Sequence, residues 1–271
     1  MDSSNFQANR WGHPFNLNHE QTAVWDIGPL HLAVRRLAGE WQLAYRRSDP
    51  FAEDYTNWTL QLSNNALVAD DYLAMERFVF GQTDALVQLT PLLADRPFVT
   101  RPIVPMFVPA GEETSIFISS PLWVAVEVGA PPRRLQEIAV YRPSDTWFGP
   151  STMEGELCYA SRTHGRLNFD NIPRQPHRAY TQVIIRNLAA GQLAIERFSL
   201  PVPYLSLFEA EDGLLWTELV TLAHTRDTEM ATMQLEKAPP ALAQNARQVA
   251  SPRQHSGHNM LVRAFGSLFG G

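Results

Sequence analysis

Between Arg142 and His164 the chain gathers more groups capable of chemistry than anywhere else along its length: Asp145, Trp147, Glu154, Glu156, Cys158, Tyr159, Arg162 and His164. Asp145 with Glu156, or with Glu154, has the residue types of an acid and base pair, which on a sheet can flank a glycosidic bond in a groove lined by aromatic rings. On an extended strand Glu156, Cys158 and Ala160 share one face while Leu157 and Tyr159 share the other. Cys158 would act as a nucleophile only with His164 or an arginine close enough to favour its thiolate. The plainer alternative has Asp145 capping the Ser144-Asp145-Thr146 turn, Trp147 in the core and Cys158 buried and inert. For a bound ligand, Arg142, Trp147, Tyr159 and Arg162 are the candidate contacts.

Other chemistries have less to stand on. The eight histidines show no His-Glu-x-x-His spacing, the single cysteine forms no Cys-x-x-Cys pair, and no metal site is expected. His255-x-x-His258 lies in a polar stretch near the C-terminus and reads as a solvated pair. A Gly-rich phosphate loop with lysine, a dinucleotide fingerprint and a Gly-x-Ser-x-Gly turn are all missing, so no cofactor is expected. A net charge of -6 gives no general attraction to nucleic acid. Lys237 is the only lysine among 22 basic residues, and Arg96, Arg101, Arg174, Arg178 and Arg197 lie beside prolines or at strand edges. There they suit either an anionic ligand or salt bridges that guard sheet edges.

The C-terminal end carries a different signal. From Ala238 to Asn259 large apolar side chains are few, a composition that cannot offset its ordering entropy and predicts a linker. Beyond it Leu261, Val262, Phe265, Leu268 and Phe269 follow the spacing of one apolar helical face, predicting a short amphipathic docking helix over 260–271. Such a segment would pack on its own body or dock into a partner protein. The ending from Phe265 to Gly271 is similar to the Gly-Ser-Leu-containing peptides that load cargo into encapsulin shells.

The elements that must position these groups read as strands. Short runs rich in Val, Ile, Phe, Tyr and Trp are separated by Pro, Gly, Asn or Asp at about ten-residue intervals, the pattern of a sandwich or barrel. Strands are expected over 27–37 and 41–46 around Ala38-Gly39, then over 57–62, 114–119, 122–128 and 135–141, with 66–80 leaning to strand. A hairpin is predicted from 181–188 and 193–200 about Ala189-Ala190-Gly191-Gln192, and another about Glu211-Asp212-Gly213, with 230–235 continuing the meander. A faint echo between 101–128 and 197–220 fits either convergent patterning or an internal duplication. The expected fold is therefore all-β, an antiparallel sandwich or barrel over 1–237, with a subdivision near 130–142 left open.

One cysteine excludes an intrachain disulfide, the first fifteen residues lack a secretion signal, and the longest apolar stretch, 116–129, is too short to span a bilayer. A soluble cytoplasmic protein is expected, with homo-oligomerisation left open. Ser144-Asp145-Thr146-Trp147-Phe148-Gly149 and Gly155-Glu156-Leu157-Cys158-Tyr159-Ala160, with Gly28-Pro29-Leu30, Asp95-Arg96-Pro97, Arg101-Pro102 and Leu200-Pro201-Val202-Pro203, resemble a prokaryotic domain-of-unknown-function family, number 432. The resemblance covers about residues 10 to 237 and implies one body with an appended tail, but no activity. The leading expectation is a non-enzymatic β body that binds a protein or ligand, its C-terminal peptide docking to a partner. A glycosidase-like hydrolase and an encapsulin cargo protein are the alternatives.

Overall fold

The computed structural model describes residues 11–48, 56–161, 164–225, 230–255 and 259–266. It is all-β. Among the described residues the only helical turns are three short 3-10 segments, Ala69–Asp71, Phe169–Asn171 and Val202–Tyr204. No helix among them is long and apolar enough to cross a membrane.

The described residues fall into two compact units, and the chain alternates between them. One comprises Met1–Leu92, Leu122–Tyr141 and Gln175–His177; the other comprises Leu93–Pro121, Arg142–Arg174 and Arg178–Gly271.

The first unit holds a five-stranded and a four-stranded sheet. In the five-stranded one, Thr22–Ile27 and Leu30–Arg36 form a tight hairpin, so the expected single strand over 27–37 is broken at Gly28-Pro29. Gly28 has a φ of +56, and a Cβ there would come within 2.5 Å of the His177 ring, so glycine is demanded twice over. The Ala38-Gly39 turn forms as expected before Glu40–Arg47. The window 66–80 supplies a 3-10 turn and the strand Ala74–Val79. Alternation then buries Ala23, Trp25, Ile27, Leu32 and Leu43.

The second unit is built on an eight-stranded sheet, a five-stranded sheet and a two-stranded ribbon. The hairpin predicted from 181–188 and 193–200 does not form. Arg178–Asn187 instead pairs antiparallel with Glu113–Pro121 and parallel with Leu215–Trp216 and Val220–His224, while Leu193–Ile195 joins Met106–Val108. Asn187 redirects the chain. Its fully buried amide nitrogen donates to the carbonyls of Val108 (2.9 Å), Pro109 (3.2 Å) and Gly191 (2.8 Å), so both loops are clamped to one side chain. The sheets are mainly antiparallel, as expected, with parallel pairs confined to those two of Arg178–Asn187 and to Glu156–Ala160 against Phe98–Thr100 among the described strands. The Gly213 turn and the 230–235 meander form as expected. Phe117, Tyr180, Leu214 and Trp216 make this unit's aromatic core, with the Phe169 ring 4.7 Å from Trp216.

The C-terminal segment departs most from its expectation. Residues 238–255 are tied to the second unit: Ala243 enters the aromatic core, Arg247–Ala250 pairs with Leu207–Glu209, and Arg253 Nε donates to the Leu93 carbonyl at 2.7 Å. Asn259–Arg263 is a strand, not a helix, and pairs with Met230–Leu235; Phe265–Gly266 pairs with Arg197–Leu200. In that register Met260 and Val262 stand opposite the buried Met233 and Ala231, while Leu261 is 69% exposed. Period two replaces the helical stripe, because a dozen residues make a marginal helix alone whereas the open edge of Met230–Leu235 offers backbone partners at once. Leu268 and Phe269 lie outside the described residues.

Candidate functional site

The Arg142–His164 cluster folds as a hairpin of Asp145–Phe148 and Glu156–Ala160, at one edge of the five-stranded sheet in the second unit. The register opposes Asp145 to Tyr159 and Trp147 to Leu157, which puts these four side chains on one face. Thr146 and Cys158, and Phe148 and Glu156, take the other.

On the first face Arg96 Nη1 donates to Asp145 Oδ1 at 3.0 Å, and Arg142 brings Nη2 to 4.0 Å from Asp145 Oδ2. The Arg96 guanidinium also sits 5.3 Å above the Tyr159 ring, and the Tyr159 hydroxyl donates to Asp95 Oδ1 at 2.9 Å. Burial raises the Tyr159 phenol above its ordinary value, and the Asp95 carboxylate adds to the effect. Asp145 thus serves as an ion-pair acceptor, and Tyr159, buried against Phe98, as a strut beneath the arginine.

Trp147 is 42% exposed rather than in the core, Leu157 is 45% exposed and Met153 is 90% exposed. The indole is nonetheless fixed. Its Nε1 donates to the Ser151 carbonyl at 2.7 Å, and a side chain at Gly155 would strike the ring. Glu154 lies exposed in the same turn, its amide donating to Ser151 Oγ at 3.1 Å.

The opposite face is closed and largely apolar. Cys158 is fully buried with Val99 and Phe148, and desolvation, followed by the charge of Glu156, pushes its thiol up to about 12. A thiol so raised is inert at neutral pH. Glu156 is half-buried; burial raises its carboxyl, against the hydrogen bond from Ser199 Oγ at 3.4 Å and the charge of Arg263. Asp145 and Glu156 therefore point to opposite faces and do not flank a common groove. His164 is exposed, and Arg162 lies outside the described residues. No group of three metal-ligating side chains occurs among the described residues.

The edge itself is informative. Tyr159 sends its amide to the Pro97 carbonyl, away from Asp145–Phe148, while the Ala160 amide turns toward Ser144. By antiparallel alternation the N–H and C=O groups of Asp145 and Trp147 project outward, and no other described strand pairs with that side.

A family model described as "Protein of unknown function (DUF432)" matches residues 11–269. The chain belongs to this family. The match runs through the C-terminal segment to residue 269. No curated protein and no solved structure matches the chain significantly. The hairpin lies within the span that the DUF432 model matches. Sequence reasoning singled out Asp145, Trp147 and Tyr159 but missed Asp95, Met153 and Leu157. The Asp95-Arg96-Pro97 tripeptide, adjoining the Phe98 strand, was the available clue.

Proposed function

We propose that this DUF432 protein is a binding protein that takes an extended segment of a partner protein along the Asp145–Phe148 edge. The observation that carries this reading is the coincidence, on one four-residue strand, of a backbone edge that no other described strand pairs with and the exposed, fixed Trp147. An unpaired edge is a template for strand addition unless it is guarded. Trp and Arg are the side chains that most often anchor protein contacts, and Arg96 and Arg142 gather at Asp145, two residues along the same face from Trp147. A strand laid on this edge places one residue beside Trp147, which favours an apolar side chain. A neighbouring position faces Arg142, which shares Asp145 with Arg96 and favours an acidic one. The tail contributes less to such a surface than its sequence suggested, since Phe265 is only 3% exposed.

The test is quantitative binding of the partner, identified by capture on the full chain and then purified, to wild type and to Trp147→Asp. Loss of a central aromatic anchor costs about 2 kcal/mol or more, near a thirtyfold weakening. The melting temperature should hold, because the indole is already half in solvent. Equal affinity for both chains would overturn the assignment.

A further inference from the structure

A second site lies in the first unit and is independent of the hairpin. A cavity of about 170 Å³ opens where Glu40–Arg47 and Ala74–Val79 meet the turn after Trp123–Val128. Trp41, Phe80 and Val128 give it apolar walls, and Gln82, Asp84 and Arg133 bring polar groups to it. A dry cavity of about 150 Å³ takes a molecule the size of benzene, so this one suits a small metabolite rather than a cofactor.

The charges define the ligand. Arg133 has Val128 as its cross-strand partner and so shares the face of that buried residue, which directs it to the cavity. Its guanidinium is in no ion pair among the described residues, the nearby Glu127 and Glu137 carboxylates being taken by Arg134. Asp84 accepts the Leu86 amide through Oδ1 at 3.1 Å, and this bond, with further backbone amides, holds its carboxyl below the ordinary range. A carboxylate offers about four acceptor positions, so capacity is left for a ligand cation. A cavity with one fixed anion, one cation in no ion pair among the described residues, and aromatic walls matches a molecule bearing both charges at one end and a compact apolar group at the other.

We infer that this cavity binds a small zwitterion of the α-amino acid class with an apolar side chain: ammonium to Asp84, carboxylate to Arg133, and side chain against Trp41 and Phe80. Calorimetric titration of the full chain with L-leucine, 4-methylpentanoate and 3-methylbutylamine separates the contributions. The two analogues keep the apolar group and one charge each. Leucine should bind at least about tenfold more tightly than either, as expected for a charged hydrogen bond. Arg133→Gln should bring leucine down to the level of the amine, and Asp84→Asn to that of the carboxylate. Both positions are solvent-exposed, so an unchanged melting temperature will show that the variants fold. Leucine binding no tighter than either analogue, or no binding of any of the three, would overturn the inference.

Discussion

Glu156 shows how one residue's surroundings decide its role. It stands within two positions of Cys158 on the same face, as a catalytic pair would, yet that face is closed and both groups are shifted toward their neutral forms. For a carboxyl whose folded value is raised, the stability it supports is intact below the ordinary carboxylate range and falls as pH rises through the raised folded value, because the unfolded chain ionises first. At neutral pH the charge is thus a net cost. Glu156→Gln should raise the unfolding midpoint at pH 7, with the gap over wild type closing toward about pH 4. A constant gap, or a less stable variant at pH 7, would mean that pairing with Arg263 outweighs burial. The faces of the hairpin were legible in the sequence, since Glu156, Cys158 and Ala160 do share one. That Asp145 falls on the other was not, because it depends on a cross-strand register that no local pattern states.

At the scale of elements, alternation located strands and failed to say which ones meet. The Gly213 and Ala38-Gly39 turns formed where their residues indicated. The Ala189-Ala190-Gly191-Gln192 turn did not close a hairpin, since Asn187 spends its amide on three carbonyls from two loops. That signal was a single buried asparagine, indistinguishable in sequence from an ordinary turn residue. The C-terminal strand was misread for a related reason: Met260, Val262 and Ala264 alternate as well as Leu261, Phe265 and Leu268 spiral, and only a waiting sheet edge decides between the two periods. Ala264 and Phe265 are now buried, with Phe265 edge-on to His224 at 5.6 Å. Phe265→Ala should therefore cost about 3 kcal/mol in urea unfolding. An unchanged midpoint would return the segment to a detachable tail.

For the whole molecule, composition and periodicity sufficed for an all-β chain, and the family match runs through residue 269. The two units were hidden because each is assembled from separated stretches. Leu122–Tyr141 belongs with the N-terminal strands although it directly follows Pro121 of the other unit, and continuity of chain gives no sign of that crossing. Each unit carries one of the two proposed sites: a cavity lined by Trp41, Phe80 and Arg133 in one, and in the other the Asp145–Phe148 edge, with which no other described strand pairs on its outer side. The binding role of that edge is most directly examined by residue-resolved amide exchange of the full chain, with and without its purified partner. In the free chain the Asp145 and Trp147 amides should exchange fast while those of Thr146 and Phe148 are protected, and the partner should slow the first pair selectively. Partner-induced protection confined to other strands, with Asp145 and Trp147 still exchanging freely, would contradict it.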